Sequence, residues 1–295
     1  MASLKDIRAQ IESTKNTQQI TKAMKLVSAA KLRKAQNNIV NMRPYALALR
    51  QVIADIAVTN KVSHPLMEKK EQVKNVLLVV ITSDRGLCGA FNSNINKFAE
   101  AYYNNNKTSL EKIDFLFVGR RGHDYFARRG IKAVDYITKL DKDISYELAS
   151  KVANRVMNDY LEGSYDEVRI VHNEFKSAIS QVVTAETLLP IDLGMTTFKK
   201  EADTASNFAV DMIFEPAPEQ IIKELLEKHF ELQVYRCMSE SVAGEHGARM
   251  SAMENATNNA KEMINKLTLT YNKLRQEKIT TELIEIVSGA EALKG

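Results

Sequence analysis

Tryptophan is absent from the 295 residues, and the residues that interrupt helices are few, with eleven glycines and five prolines. So few breakers exclude collagen-like and low-complexity classes and favour long helices. The two cysteines, Cys88 and Cys237, lie far apart; they offer no disulfide framework, and a reducing compartment is the simpler reading. No apolar run approaches the roughly 18–20 residues of a membrane span, and the start, MASLKDIRAQ, lacks a signal-peptide apolar region. The histidines (His64, His123, His172, His229, His246) are scattered and no Cys/His cluster has ligand spacing, so no metal site and no cofactor are expected. What is present, 44% hydrophobic and 26% charged residues, suits a chain that is soluble on its own account and can still attach to a membrane complex.

The net charge of +4 is unevenly spread. Residues 1–58 carry ten Lys/Arg and three Asp/Glu, whereas 59–218 carry 21 and 22 and 219–295 carry 10 and 12. The basic excess therefore sits in the N-terminal segment and calls for an acidic partner, either nucleic acid or an acidic protein surface.

Residues 2 to about 58 contain no glycine and one proline, Pro44, and form one long helix that Ser3 can cap. Apolar residues recur at three-and-four spacing at Leu4, Ile7 and Ile11, with a break at the polar Gln18. The stripe then resumes in a shifted frame at Ile20, Met24, Val27 and Ala30, and later at Ile39, Met42, Ala46, Leu49, Ile53 and Ile56. Pro44 should bend this helix locally. After a polar connection containing Pro65, short apolar runs at Val76–Ile81, Phe115–Val118 and Val168–His172 have the length and β-branched content of strands, with helical stretches such as Ser145–Leu161 between them. That alternation predicts a small α/β domain with a mostly parallel sheet. Leu188–Pro190 and the polar run Lys199–Asn207 close it, and Asp211–Pro218 has the pattern of a short strand ending at prolines. From Glu219 helical periodicity returns, with Ile222, Leu225, Leu226, His229 and Leu232 on one face. Met250, Met253, Thr257, Ala260, Ile264, Leu267, Tyr271 and Leu274 follow at strict three-four spacing, and Ile279, Leu283 and Ile286 continue in a shifted frame. Gly244 and Gly247 weaken this helix by about 1 kcal/mol each relative to alanine.

The predicted fold class is therefore α/β with long helices. N- and C-terminal helices (1–58 and 219–295) form an antiparallel coiled coil, with an inserted α/β, Rossmann-like domain over 74–215. The first helix spans roughly 85 Å and the second roughly 110 Å at 1.5 Å per residue. Started level, the first ends near Arg275 of the second, leaving about 20 residues, roughly 30 Å, as a lone helix. That end, EKITTELIEIVSGAEALKG, is apolar on more than one face and requires a sheath from another protein.

The stretch ITSDRGLCGAFNSNI, Ile81–Ile95, places a glycine-rich turn after the first strand, where many folds cradle phosphate. Its glycines are three apart, no Lys-Ser/Thr follows Gly89, and nothing near Cys88 supplies a base; neither a P-loop nor a dinucleotide fingerprint is present. A tight strand-to-helix turn is the plainer reading. Gly119–Gly122, GRRG, reads as a solvated turn rather than an anion grip. The basic run Lys22–Gln36 admits three readings: a DNA-tracking helix, the solvated face of a coiled coil, or a surface drawn to acidic loops of a protein sleeve. A nucleotide-binding enzyme on the α/β domain and a basic nucleic-acid binder remain the alternatives to a mechanical subunit.

Three segments, IRAQIESTKNTQQITKAMKLVSAAKLRKAQ, TSDRGLCGAFNSNI and ITTELIEIVSGAEAL, taken in that order, resemble the gamma subunits of F-type ATP synthases over essentially the whole chain. The resemblance implies a central rotor shaft, one copy per complex, inside a ring of three alpha and three beta subunits. Its foot would stand beside the epsilon subunit on the membrane c-ring, at the cytoplasmic face of a bacterial inner membrane. It implies no nucleic-acid partner and no catalytic site in this chain. By the same resemblance Met24, Lys25, Arg249, Gln276, Thr280 and Glu282 match shaft contacts with the catalytic ring. Ile284, Ile286, Val287 and Leu293 match the end held in an apolar sleeve, and Phe214 and Glu215 match the foot toward the c-ring. Gly244 and Gly247 depart from an alanine-rich stretch of the family. The cysteine-bearing insert of chloroplast members is missing, which implies no thiol switch.

Overall fold

The computed structural model describes residues 3–60, 64–138, 145–177, 180–192 and 217–292. Two helices dominate, α1 (Leu4–Asn60) and α5 (Pro218–Ala292). Between them lie β1 (Asn75–Ile81), α2 (Phe91–Asn106), β2 (Lys112–Val118), α3 (Arg120–Ala127), β3 (Asp135–Ile137), α4 (Tyr146–Leu161), β4 (Glu167–Phe175) and β5 (Gln181–Leu189). The chain forms two compact units, one of Met1–Ser28 with Arg249–Gly295 and one of Ala29–Ala248. Both long helices pass through both units.

In the first unit α1 opens on a reciprocal cap: the Asp6 amide donates to Ser3 Oγ (3.2 Å) and the Ser3 amide to the Asp6 carboxylate (3.0 Å). The hydroxyls of Thr21 on α1 and Thr257 on α5 lie 2.8 Å apart, each also within reach of a carbonyl of its own helix, Gln18 (3.0 Å) and Met253 (2.7 Å), so that one donates to the other across the interface. Lys25 Nζ meets Glu254 at 2.7 Å. Four residues forward on α1 thus correspond to three backward on α5, so the helices run antiparallel. Extending that register places Gln18 opposite Ala260, Thr14 opposite Ile264, Ile11 opposite Leu267, Ile7 opposite Tyr271 and Leu4 opposite Leu274. All ten are buried or half-buried. The paired length ends near the expected Arg275.

The shifted frame expected around Ile20 is not what forms. Ile20 and Val27 are 61% and 57% exposed, Ala30 is exposed too, and only Met24 is half-buried. The contact face keeps one three-four count from Leu4 to Ile56, through half-buried Thr14, Gln18 and Lys25 and buried Thr21 and Ser28. Hydroxyl side chains are tolerated on that face because hydrogen bonding, of Thr14 to the Gln10 carbonyl and of Thr21 to Thr257 across the interface, removes most of the cost of burying them. The apolar residues between them are left outside.

The second unit is built on a five-stranded sheet of order β3-β2-β1-β4-β5. β1 pairs in parallel with β2 and β4, β2 with β3, and β5 runs antiparallel to β4. The apolar run of β1 serves two cores. Leu77, Val79 and Ile81 pack with α4 and with the α1 and α5 segments of this unit, including Ile53, Leu226 and Phe230. Leu78 and Val80 face a second core with Phe91, Phe115, Phe117 and Phe126 from α2, β2 and α3. Burial on both faces is what a central parallel strand requires, and each large side chain so buried contributes about 1.5–3 kcal/mol. β3 and β5 were not anticipated: β3 is three residues long, and β5, with half-buried polar positions, lacks a clean alternation. The polar connection also contributes to the core, where Leu66 is fully buried and its carbonyl accepts from the Ile191 amide at 2.6 Å. Lys199–Asn207 and residues 211–216 of the expected closing strand lie outside the described residues.

Gly244 sits buried in the interior of α5, and a Cβ there would meet Asn173, Gln181 and Phe91 at 3.4 Å, ordinary contact distances. Gly244→Ala should therefore raise stability by up to about 1 kcal/mol, seen as a higher denaturation midpoint. His229 of α5 is buried near Arg50 and Arg236, and burial first, then those two cations, pushes its pKa down to about 4. The unfolded imidazole binds its proton near pH 6.5. The contribution of the neutral ring is complete above that value and is lost as pH falls from 6.5 toward 4, a change of about 3 kcal/mol. In a urea titration series, His229→Phe should flatten the acid limb of stability against pH.

Candidate functional site

The strand-end loop has the position of a phosphate cradle, at the carboxyl end of a central parallel strand. The amides at its start are engaged within the chain. The Thr82 amide donates to the Val118 carbonyl (2.8 Å), and the Ser83 amide donates to Asn92 Oδ1 (3.0 Å). At the start of α3, the Arg120 amide donates to Asp84 (2.9 Å), the Arg121 amide to the Ser83 carbonyl (3.0 Å) and the Gly122 amide to Thr82 Oγ1 (2.8 Å). The first amides of α3, donors that an anion at that helix start would need, are filled by the chain's own carboxylate, carbonyl and hydroxyl. Gly119, at φ 112°, brings the two loops so close that a Cβ would lie 2.0 Å from the Thr82 carbonyl oxygen. Cys88 is buried, and its sulfur accepts from Asn92 Nδ2 at 3.1 Å. The loop places Leu87 outward, 66% exposed, at φ 63°, a conformation that costs a non-glycine residue about 1 kcal/mol or more. Gly119 thus serves close packing of the two loops, Gly89 takes a left-handed turn position at φ 57°, and Leu87 is presented to the surroundings.

Among the described residues, no group of three or more His, Cys, Asp or Glu is placed to hold a metal ion. No described helix is long and apolar enough to cross a membrane. Cys237 is fully buried in α5, where burial pushes its thiol pKa up.

The residues marked out as shaft contacts fall into two groups on the helices of the first unit. Met24 and Lys25 are half-buried on α1, and Lys25 is engaged with Glu254. Arg249, on α5, is only 7% exposed, so a partner could reach little of it. Gln276, Thr280 and Glu282 are exposed beyond the paired length; Thr280 donates to the Gln276 carbonyl (2.9 Å) and Glu282 lies 3.7 Å from Lys278. Ile284, Ile286 and Val287 are exposed, Ile286 at 68%, and so is every other described residue from Arg275 to Glu291. Phe214, Glu215 and Leu293 lie outside the described residues. Sequence reasoning did not pick out the exposed Ile20, Leu26 and Val27 as an outward apolar face. An uninterrupted three-four count from Leu4 would have found it.

Long terminal helices paired antiparallel, with an inserted and mostly parallel sheet, make up the architecture of rotary-ATPase central-stalk subunits. The central stalk and c-ring structure of Tetrahymena thermophila mitochondrial ATP synthase contains a chain 30% identical to this one, with a TM-score of 0.60, covering 80% of this chain and 99% of that one. A chain of the Euglena gracilis mitochondrial ATP synthase shares the fold at 22% identity and a TM-score of 0.67, covering 98% and 94%. The ATP synthase family profile matches residues 3–293. The ATP synthase gamma chain of Bdellovibrio bacteriovorus is 99% identical over 295 residues, all of both chains, and that of Trichlorobacter lovleyi is 46% identical over the full length of both. The chain belongs to the ATP synthase gamma chain family.

Because Gly119 combines a left-handed φ with contact on the Thr82 backbone, Gly119→Ala should destabilise the second unit by about 3 kcal/mol or more, measured by chemical denaturation.

Proposed function

We propose that this chain is the central rotor shaft of an F-type ATP synthase, turned by ion flow through a c-ring and driving ATP synthesis, or hydrolysis in reverse, at beta subunits of a surrounding ring. The observation that carries the reading is the end of α5: seventeen exposed residues, 275–291, stand beyond the last position that α1 can cover, with Ile279, Leu283, Ile284, Ile286 and Val287 among them. Apolar surface of that extent on a lone helix is stable when another protein surrounds it.

The shaft works by position. An asymmetric helix pair makes different contacts with each of three beta subunits, and each contact set favours a different open or closed state. Rotation passes those preferences around the ring in order. Met24 and Lys25, with the outward Ile20, Leu26 and Val27, meet the moving parts of the ring, and Arg249 supports that level from within the helix pair. Gln276, Thr280 and Glu282 make the upper contacts, and the sleeve holds Ile284, Ile286, Val287 and Leu293. The basic excess of residues 1–58 draws the shaft to acidic loops of the ring. The α/β part is the foot, with Phe214 and Glu215 toward the c-ring and the epsilon subunit beside it; Leu87 offers an apolar contact from the same part. The chain holds no nucleotide, carries no catalytic site of its own and occurs once per complex. It resides as a peripheral subunit at the cytoplasmic face of a bacterial inner membrane.

The direct test is co-purification. Tagged chain expressed in its own cell should bring down a nucleotide-hydrolysing ring of two larger subunits, and its absence after gentle lysis would refute the shaft. ATP hydrolysis by the purified chain alone would instead favour a nucleotide-dependent enzyme. Truncation after Ile286 should weaken assembly in native mass spectrometry while changing the stability of the isolated chain by less than about 0.5 kcal/mol, since residues 287–291 are all exposed.

A further inference from the structure

Torque that enters at a sheet and leaves along a helix must cross the contact between them. In the second unit most of that contact is apolar: Ile222, Leu226, Phe230, Val234 and Met238 of α5 share a core with β1, β4 and β5. Apolar burial and close packing resist separation and turning alike, but they carry no directional bond that fixes the helix at one angle about its axis. Two buried charged side chains of α5 supply direction.

Arg236 is 4% exposed. On its own helix it donates to Gln233 (2.9 Å) and Glu240 (3.2 Å), one turn to either side, which sets the plane of the guanidinium. Its remaining nitrogen donates to Glu186 of β5. The other oxygen of Glu240 lies 3.4 Å from Nε2 of the fully buried His172 on β4, and that nitrogen lies 3.8 Å from Glu186. His172 pairs with Thr184 across the β4–β5 ladder and Ile170 with Glu186, so His172 and Glu186 are diagonal neighbours on one face. The helix is thereby tied to two strands. Glu231, buried at 4%, grips a different element. It accepts from Tyr146 and from Ser150 (2.8 Å), both on α4, and from Lys228 (2.9 Å). Five residues separate Glu231 from Arg236, about 140° around a helix of 3.6 residues per turn. A single tie would act as a pivot, whereas two ties on different sides fix the rotational setting of the helix.

We propose that Glu231 and Arg236 are positioning residues that lock the rotation of α5 against the sheet and α4, so that torque passes from the α/β part into the shaft. The inference rests on the rotor reading. Burying ions rather than apolar side chains is a poor route to stability, because desolvation offsets most of the attraction. What the two ties add is orientation.

The test uses the assembled complex in sealed membrane vesicles, with ATP hydrolysis and ATP-driven ion pumping measured together. The double variant Glu186→Gln/Arg236→Met and the single variant Glu231→Met should keep hydrolysis within about twofold of wild type but lower ions pumped per ATP by about threefold or more, most strongly against a pre-formed gradient. Arg236→Lys keeps the charge and loses the planar fork, and should fall between. Leu226→Ala opens a cavity in the same core and serves as control: it should lower the melting temperature and leave the pumping ratio unchanged. Wild-type pumping ratios in the lock variants, or an equal loss of coupling in Leu226→Ala at equal loss of melting temperature, would overturn the lock. Absence of coupled pumping with the wild-type chain would overturn the rotor reading and the lock together.

Discussion

Everything distinctive about this chain depends on the antiparallel register of two helices of unequal length. The Thr21–Thr257 and Lys25–Glu254 contacts set that register, and the register decides where shared cover ends. α1 begins at Leu4, so α5 loses its partner after Leu274. The remaining turns carry isoleucine, leucine and valine to the surface. The helix pair therefore contains both a self-sufficient part and a part that is complete only inside another protein.

The interface holding the register is not a uniform apolar zipper. Thr14, Gln18, Thr21, Lys25 and Ser28 occupy positions that aliphatic residues fill elsewhere on the same face. Each such substitution lowers the apolar area removed from water, and the cross-interface hydroxyl pair recovers part of the loss through a directional contact. The ion pair of half-exposed Lys25 and Glu254 adds little to stability. Its value lies in fixing which turn faces which. In the second unit Arg236 and Glu231 combine low energetic return with high geometric definition in the same way, Arg236 between α5 and the sheet and Glu231 between α5 and α4.

Much of this was legible in the sequence, for reasons that differ by element. The long helices showed through the scarcity of glycine and proline, and the length mismatch followed from the rise per residue alone. β1, the core of β2 and most of β4 were visible because strands buried on both faces are continuously apolar. β5 was missed because an edge strand with polar positions on both faces, Glu186 toward α5 and the exposed Thr187, satisfies no simple pattern, and β3 because three residues carry no period. The frame around Ile20 was misplaced because apolar character was followed instead of spacing: the count through Gln18 and Thr21 is regular, and the greasy residues beside it are outward. The glycine-rich loop was correctly weighed as a turn from its spacing, but sequence could not reveal that Asp84, Ser83 and Thr82 already occupy the amides of the neighbouring helix start. That depends on two loops 36 to 40 residues apart meeting in space.

The central claim is that the end of α5 is built to be enclosed. Amide hydrogen exchange across residues 276–291, followed by mass spectrometry, tests it in the isolated chain and in the assembled complex. Alone, the unpaired turns should exchange nearly as fast as a frayed helix; enclosed, they should slow by about a hundredfold or more. Equal exchange in the two states would contradict the account.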